Sequence, residues 1–401
     1  MQKTMPLLGL ILAPSGIDTF AVLRTMSVVY GAAFLKRGIV PFYLDTDAPD
    51  FRARLHAAAR DPRIHAFFSV GSWGVRTQVN VEGATRNLIE WSGKPFLGHH
   101  GDYPFFPRVA EKLQQDFSKR ITLYNDERSS GFATSMIAAR GVHDYAAQAY
   151  CDFGFDSMRT ERRPSRRPIP LLYVGRHFDA DECRELFDKE CPDLIAVYDQ
   201  LCEQALYEFR RPIWEICIAA LAADSKPYDP SDHRIRQLLY YAYQATQARR
   251  RDALLQRLSR HPVHVVAACG TAPALHSKSI ACGPKTFPEV LKLMEQSRAV
   301  VIAQPSFSHG ITERTLSAMH RRAVVLSTGN AFIDANFVSG GDYLCLEREF
   351  ANLDEQIASL DNAERIDAIA ESAWRKVVER FSPEATVSRY LDFLDIGQAV
   401  A

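Results

Sequence analysis

Residues 299–327 decide the fold. They read Ala299-Val300-Val301-Ile302-Ala303, a polar loop from Gln304 to Gly310, the helix opening His309-Gly310-Ile311-Thr312-Glu313-Arg314 that runs on through Ala318-Met319, and Ala323-Val324-Val325-Leu326-Ser327. Two short apolar runs flanking a helix are the pattern of a β-α-β unit in a parallel sheet covered on both faces. A helix start presents unpaired N–H groups and the positive end of its dipole. The loop is therefore a natural seat for an anion, often a nucleotide phosphate in α/β proteins.

The same rhythm extends outward from this stretch. Residues 7–13 read as a first strand with the turn Pro14-Ser15-Gly16-Ile17-Asp18 after it, and 19–37 read as a helix stopped by Gly38. Further strands are expected at 40–44, 65–70, 95–99, 120–124, 170–174 and 263–268. Thr286 with Glu289 fits a capping box for a helix over 287–296. Residues 179–260 are helix-rich with few glycines and read as an insertion; residues 159–170 hold five arginines and three prolines and read as a linker or a basic patch.

The expected architecture is α/β: two Rossmann-like doubly wound domains facing across a cleft, with a helical insertion in the second. The expected bounds are 1–158, a linker at 159–169, a second domain at 170–380 and a helical tail at 381–401 that packs back on the first domain. In such sheets ligands sit at the carboxyl ends of the strands.

Bulk properties exclude more than they assign. The chain has 401 residues, long for one core. Lys+Arg and Asp+Glu balance at 48 each, so no global charge favours nucleic acid. The eight cysteines are scattered with no Cys-x-x-Cys pair, which argues against structural zinc. The apolar start, 6–14, is too short to span a bilayer. A cytoplasmic protein is expected, with peripheral membrane contact left open. No Walker loop, no Gly-x-Gly-x-x-Gly after the first strand and no Gly-x-Ser-x-Gly elbow is present, so NTP hydrolysis, NAD use and serine hydrolysis have no motif.

At about 100° per residue, Ile311, Thr315, Ala318 and Met319 share one side of the 310–320 helix, and His309, Glu313, Ser317 and His320 share the other. The second side reads either as a solvated outer face or as a cleft lining, in which Glu313 accepts ribose hydroxyls while the helix start holds phosphate.

On these residues the chain resembles the GT-B glycosyltransferases. The resemblance rests on Gly283 after a short strand, the strand 299–303, Pro305-Ser306, His309-Gly310 and Ala318-Met319 before a Val-Val strand, together with Tyr173-Val174-Gly175. The Glu313-Arg314 pair is most similar to the spore-maturation-like branch of the group-1 superfamily. The resemblance implies an enzyme that moves a sugar from a UDP- or GDP-linked donor to a hydroxyl, with no cofactor and no metal. Helix N-termini and basic side chains then take the diphosphate charge. The implied donor set is Arg176, Gly270, Lys285, His309, Gly310, Ile311, Thr312, Glu313 and Ser317. One departure is plain: retaining members carry two glutamates eight positions apart, and His309 and Ser317 stand there instead. The expectation therefore leans to inversion.

Inversion needs a base. The loop His99-His100-Gly101-Asp102-Tyr103-Pro104 follows a strand and crowds two imidazoles, a carboxylate and aromatic rings. Asp102 and His100 are the first candidates there, although Asp102 also reads as a turn cap and one histidine as packed. Asp18 is the second carboxylate, and it reads equally as an N-cap. Gly71-Ser72-Trp73-Gly74 offers a stacking wall. The acceptor is a carbohydrate, a lipid-linked sugar or a protein, and a homodimer is compatible. The alternatives are a nucleotide-sugar epimerase on the same scaffold, or a binding protein without turnover.

Overall fold

A computed structural model describes residues 5–18, 20–152, 163–176, 179–268, 276–304 and 307–394, the side chains of 176, 267 and 268 excepted. The chain divides into two compact units. One comprises Met1–Phe153 with Phe381–Ala401, the other Gly154–Arg380.

The first unit runs β1 (Leu7–Leu12), α1 (Val22–Lys36), β2 (Val40–Asp45), α2 (Phe51–Arg60), β3 (Ile64–Val70), the hairpin β4 (Gln78–Val81) and β5 (Ala84–Asn87), α3 (Leu88–Ser92), β6 (Phe96–His100), α4 (Pro107–Leu113), β7 (Arg120–Tyr124), α5 (Ser129–Met136) and β8 (Val142–Tyr145). Among the described residues its main sheet has the order β2-β1-β3-β6-β7-β8, every pairing parallel. β3, β6 and β7 are buried at nearly every residue because helices cover both faces.

The second unit opens with β9 (Ile169–Arg176). Four helices of the insertion follow: α6 (Ala180–Glu190), α7 (Ile195–Ala205), α8 (Ile213–Ala223) and α9 (His233–Leu258). Then come β10 (His264–Ala268), β11 (Ile280–Ala281), α10 (Phe287–Gln296), β12 (Ser297–Ile302), α11 (Glu313–His320), β13 (Val324–Thr328), α12 (Ala331–Asn336), β14 (Leu344–Leu346), α13 (Leu353–Ala358) and α14 (Ala363–Arg380). The described strands form a second parallel sheet, β11-β10-β9-β12-β13-β14. α15 (Pro383–Leu394) belongs to the first unit and packs on α1.

Two α/β units with parallel sheets and a helical insertion are the expected fold class. Some edges of the reading move. α1 begins at Val22 rather than 19, but Gly38 does end it, with φ 78 and its N–H bonded to Leu35 O at 3.0 Å. The capping box of α10 is present, with the Thr286 N–H donating to Glu289 Oε2 at 2.8 Å. The hairpin β4–β5 was not expected. It turns on Glu82 (φ 52) and Gly83 (φ 80), and its strands are too polar to alternate clearly.

Buried arginines close helix ends in both units. Arg120 donates to the carbonyls of Lys112 and Gln115 after α4, at 2.6 and 3.0 Å. Arg167 donates to Ser297 O at 3.0 Å and Arg321 O at 2.7 Å, after α10 and α11. Arg250 reaches the carbonyls of Ala205 and Leu206 at the end of α7. Each puts a cation on the negative end of a helix and satisfies carbonyls that have no intrahelical donor.

Candidate functional site

In the second unit the strand ends converge on the start of α11. The helix begins at Glu313, three residues later than the sequence suggests, because Thr312 is its N-cap: Thr312 Oγ1 accepts from Thr315 N at 3.3 Å. The amides of Glu313 and Arg314 precede the first helical bond and have no helical acceptor. Gly310 and Ile311 thus belong to the loop that leads in, and both are buried.

That loop is held from the next crossover. Asn330 Nδ2 donates to Phe307 O at 2.7 Å and to Gly310 O at 2.9 Å, while its Oδ1 accepts from Ile333 N at 2.8 Å as the N-cap of α12. Ser308 is fully buried, and its Oγ lies 3.0 Å from Nδ1 of the half-buried His309. Gln304, just past β12, donates to Thr315 Oγ1 at 3.0 Å, and its side-chain Oε1 is buried with no hydrogen-bond partner among the described residues.

Glu313 and Arg314 are both half-buried, 3.7 Å apart, and Arg314 Nη1 lies 3.5 Å from Val174 O near the end of β9. A guanidinium is therefore placed at the strand ends beside the helix start, a role the sequence did not assign to Arg314. Ser317 is fully buried, contrary to the expected outward or cleft-lining side, because α10 and α14 pack against α11. Lys285 is partly exposed just before α10, with Nζ 3.9 Å from Glu289. Arg176 ends β9, paired with Ala268, but its side chain lies outside the described residues, as does Gly270 altogether. Of the expected donor set, the structure brings together His309, Gly310, Ile311, Thr312 and Glu313.

In the first unit the loop after β6 divides by burial. His99 is fully buried, with Nε2 2.7 Å from Asn125 Oδ1 and Nδ1 against Tyr390 Oη. Burial takes its pKa down to about 4, against the raising effect of Asn125. His100 is 2 % exposed and lies 2.8 Å from Ser72 Oγ; burial first, then Lys112 and Arg120, hold it well below the usual imidazole range. Tyr103 and Phe105 are buried and stacked on each other at 5.0 Å. The imidazoles and these two rings therefore support the loop from inside, and Asp102 is the member of the set that is exposed.

The neighbouring loop after β3 is conformationally unusual. Gly71, Ser72 and Gly74 all have positive φ, 82, 54 and 80. Ser72 reaches His100 only because residue 98 is Gly: a Cβ there would lie 1.8 Å from Ser72 Oγ. Lys112 Nζ stands 3.4 Å over the Trp73 ring and donates to Gly71 O at 2.5 Å. Burial brings its pKa down to about 7, opposed by the Asp102 carboxylate, which favours the charged form. One face of the expected stacking wall is thus already taken by an ammonium. Asp18 is buried and accepts from Arg24 N at 2.7 Å, so it caps the first turn of α1. Among the described residues no three His, Cys, Asp or Glu side chains gather as metal ligands would, and no described helix is long and apolar enough to cross a membrane.

Neither a family model nor a curated protein sequence matches the chain. Solved structures do. HepE from Anabaena, in complex with UDP and glucose, aligns with TM-score 0.51 at 11% identity over 98% of this chain and 99% of its own. The T4 phage β-glucosyltransferase with its UDP-glucose substrate aligns with TM-score 0.51 at 8% identity, over 97% and 99%. Sucrose-phosphate synthase from Thermosynechococcus elongatus gives TM-score 0.51 at 9% identity, over 99% and 100%. At such identities the likeness is one of fold: two Rossmann-like α/β units, the GT-B fold.

Proposed function

We propose that this chain is a glycosyltransferase that moves a sugar from a UDP- or GDP-linked donor to a hydroxyl acceptor, with inversion and without a metal. One observation carries the reading: a helix start capped by Thr312, with Arg314 beside it at the carboxyl ends of a parallel sheet, in a fold shared with structures that hold UDP-glucose. The amides of Glu313 and Arg314 and the Arg314 guanidinium meet the diphosphate, whose charge grows as it departs. Glu313 accepts hydrogen bonds from the ribose. In the first unit, exposed Asp102 takes the proton of the acceptor hydroxyl as its oxygen bonds to the sugar carbon and the bond to phosphate breaks.

A second reading, a nucleotide-sugar-binding protein without turnover, is favoured by the burial of Ser317 where retaining relatives would present a glutamate. Thermal-shift screening with UDP, GDP and their sugars, followed by assay of nucleoside diphosphate release with candidate acceptors, separates the two. An enzyme releases nucleoside diphosphate, and Asp102→Asn lowers kcat by about 100-fold or more while donor affinity holds. Stabilisation by donor with no release under any acceptor selects the binding protein. No stabilisation by any nucleotide removes both.

A further inference from the structure

A cavity of about 330 Å³ opens in the second unit at the amino ends of its central strands, the edge of the sheet opposite the start of α11. It lies among the first residues of β9, the lead into β10, the start of β12, and α13 with the 3-10 turn Ser359–Asp361 that follows it. A strand rises about 3.3 Å per residue, so Leu171 stands roughly 10 Å along β9 from Val174, whose carbonyl faces Arg314. The volume is at the small end of the range for ligand pockets, so the guest is a small molecule. The base of the cavity is apolar: Leu171 and Leu360 are buried and Ile357 is half-buried. Its rim is charged. Arg298 Nε donates to Arg167 O at 3.1 Å, which fixes the guanidinium, and its two other nitrogens have no hydrogen bond or ion pair among the described residues. The exposed Asp361 carboxylate has none either, so the two charges line one cavity without pairing with each other. The remaining carboxylate, Asp354, is already held: its Oδ1 lies 2.7 Å from His261 Nε2, and that bond keeps the carboxyl below its usual pKa.

We propose that this cavity binds a small zwitterion with an apolar body, an α-amino acid carrying a large aliphatic or aromatic side chain. The carboxylate of the guest meets the free nitrogens of Arg298, whose planar fork matches it. The ammonium meets Asp361, and Asp354, from the same α13-and-turn segment, adds negative potential. The side chain covers the apolar base. Other guests leave part of this set unmatched. A phosphate or a nucleotide would meet two carboxylates for one guanidinium, and a plain hydrocarbon would leave both uncommitted rim charges without a partner. The site is separate from the nucleotide seat and does not depend on the glycosyltransferase reading.

Saturation-transfer NMR titration of the full chain with L-phenylalanine and L-leucine tests this. The expected Kd is about 0.1–1 mM for the better of the two, in keeping with so few atoms. Compared with L-phenylalanine, 3-phenylpropionate lacks the ammonium and 2-phenylethylamine lacks the carboxylate, and each binds about ten-fold more weakly. Arg298→Gln weakens phenylalanine about ten-fold and leaves 2-phenylethylamine unchanged; Asp361→Asn weakens phenylalanine likewise and leaves 3-phenylpropionate unchanged. Circular dichroism checks the fold of both variants, and the exposed position of Asp361 keeps its arm usable if Arg298→Gln unfolds. The proposal is overturned if neither amino acid binds up to about 10 mM. Equal affinity for phenylalanine and 3-phenylpropionate also overturns it, as does phenylalanine binding indifferent to Asp361→Asn.

Discussion

Glu313 and Arg314 show how much a shift of three residues matters at a helix start. Had the helix begun at Gly310, Glu313 would lie a full turn inside it. With Thr312 as cap it is the first helical residue, half-buried at the strand ends. Glu313→Ala is expected to weaken UDP or GDP binding about ten-fold, the worth of one charge-assisted hydrogen bond, with the melting temperature of the free protein little changed. Calorimetric titration checks it, and unchanged affinity with the fold intact would take Glu313 out of the site. His99 gives a prediction in pH. Its folded pKa of about 4 lies below the usual 6.5, so between those values the unfolded chain binds a proton that the native chain refuses. Stability should therefore fall as pH drops from 6.5 to 4, on the order of 3 kcal/mol from this group, and flatten below. His100 and His143 are lowered by burial too and act in the same direction. Urea unfolding midpoints across that range test it, and a flat profile would show that His99 is protonated in the fold. The residue types of both sites were legible in the sequence, but their exposure was not. His100 and Asp102 are two positions apart, yet one is sealed and the other open.

At the scale of elements, periodicity did most of the work. The strands around 299–327 are runs of β-branched residues, and such runs have few other stable uses. The capping box at 286–289 was legible because both partners lie within one turn. Polar hairpins such as β4–β5 leave no such trace. Asn330 was also missed, since its partners, Phe307 and Gly310, lie more than one element away in sequence. That side chain ties the loop before α11 to the start of α12. Asn330→Ala would leave two carbonyls and a helix N–H without their partner, at a cost of about 1–3 kcal/mol, and should also weaken nucleotide binding by loosening the loop. Differential scanning calorimetry with and without UDP measures both effects; a loss of stability with full UDP affinity would make the tie purely structural.

At the scale of the molecule, the end of the chain completes the beginning. Tyr390 of α15 is fully buried in the first unit, 5.4 Å from Tyr30 and 5.3 Å from Phe68 between ring centres, with its hydroxyl on His99. Tyr390→Ala should cost about 3–5 kcal/mol, as large aromatic truncations in cores do, and should leave the His99 nitrogen without its hydroxyl. If the nucleotide seat lies in the second unit, UDP should still stabilise this variant by as much as wild type. A fall in the UDP-induced shift would place part of the seat in the first unit.

The sequence by itself determined the α/β class, the central parallel strands of both units and the helical insertion, because these follow from hydrophobic period, caps and turn residues a few positions apart. Only the tertiary structure decided which polar groups are sealed and which stay open. Burial is set by what packs from distant segments: α10 and α14 over α11, Tyr390 over His99, Ser72 through the space left by Gly98.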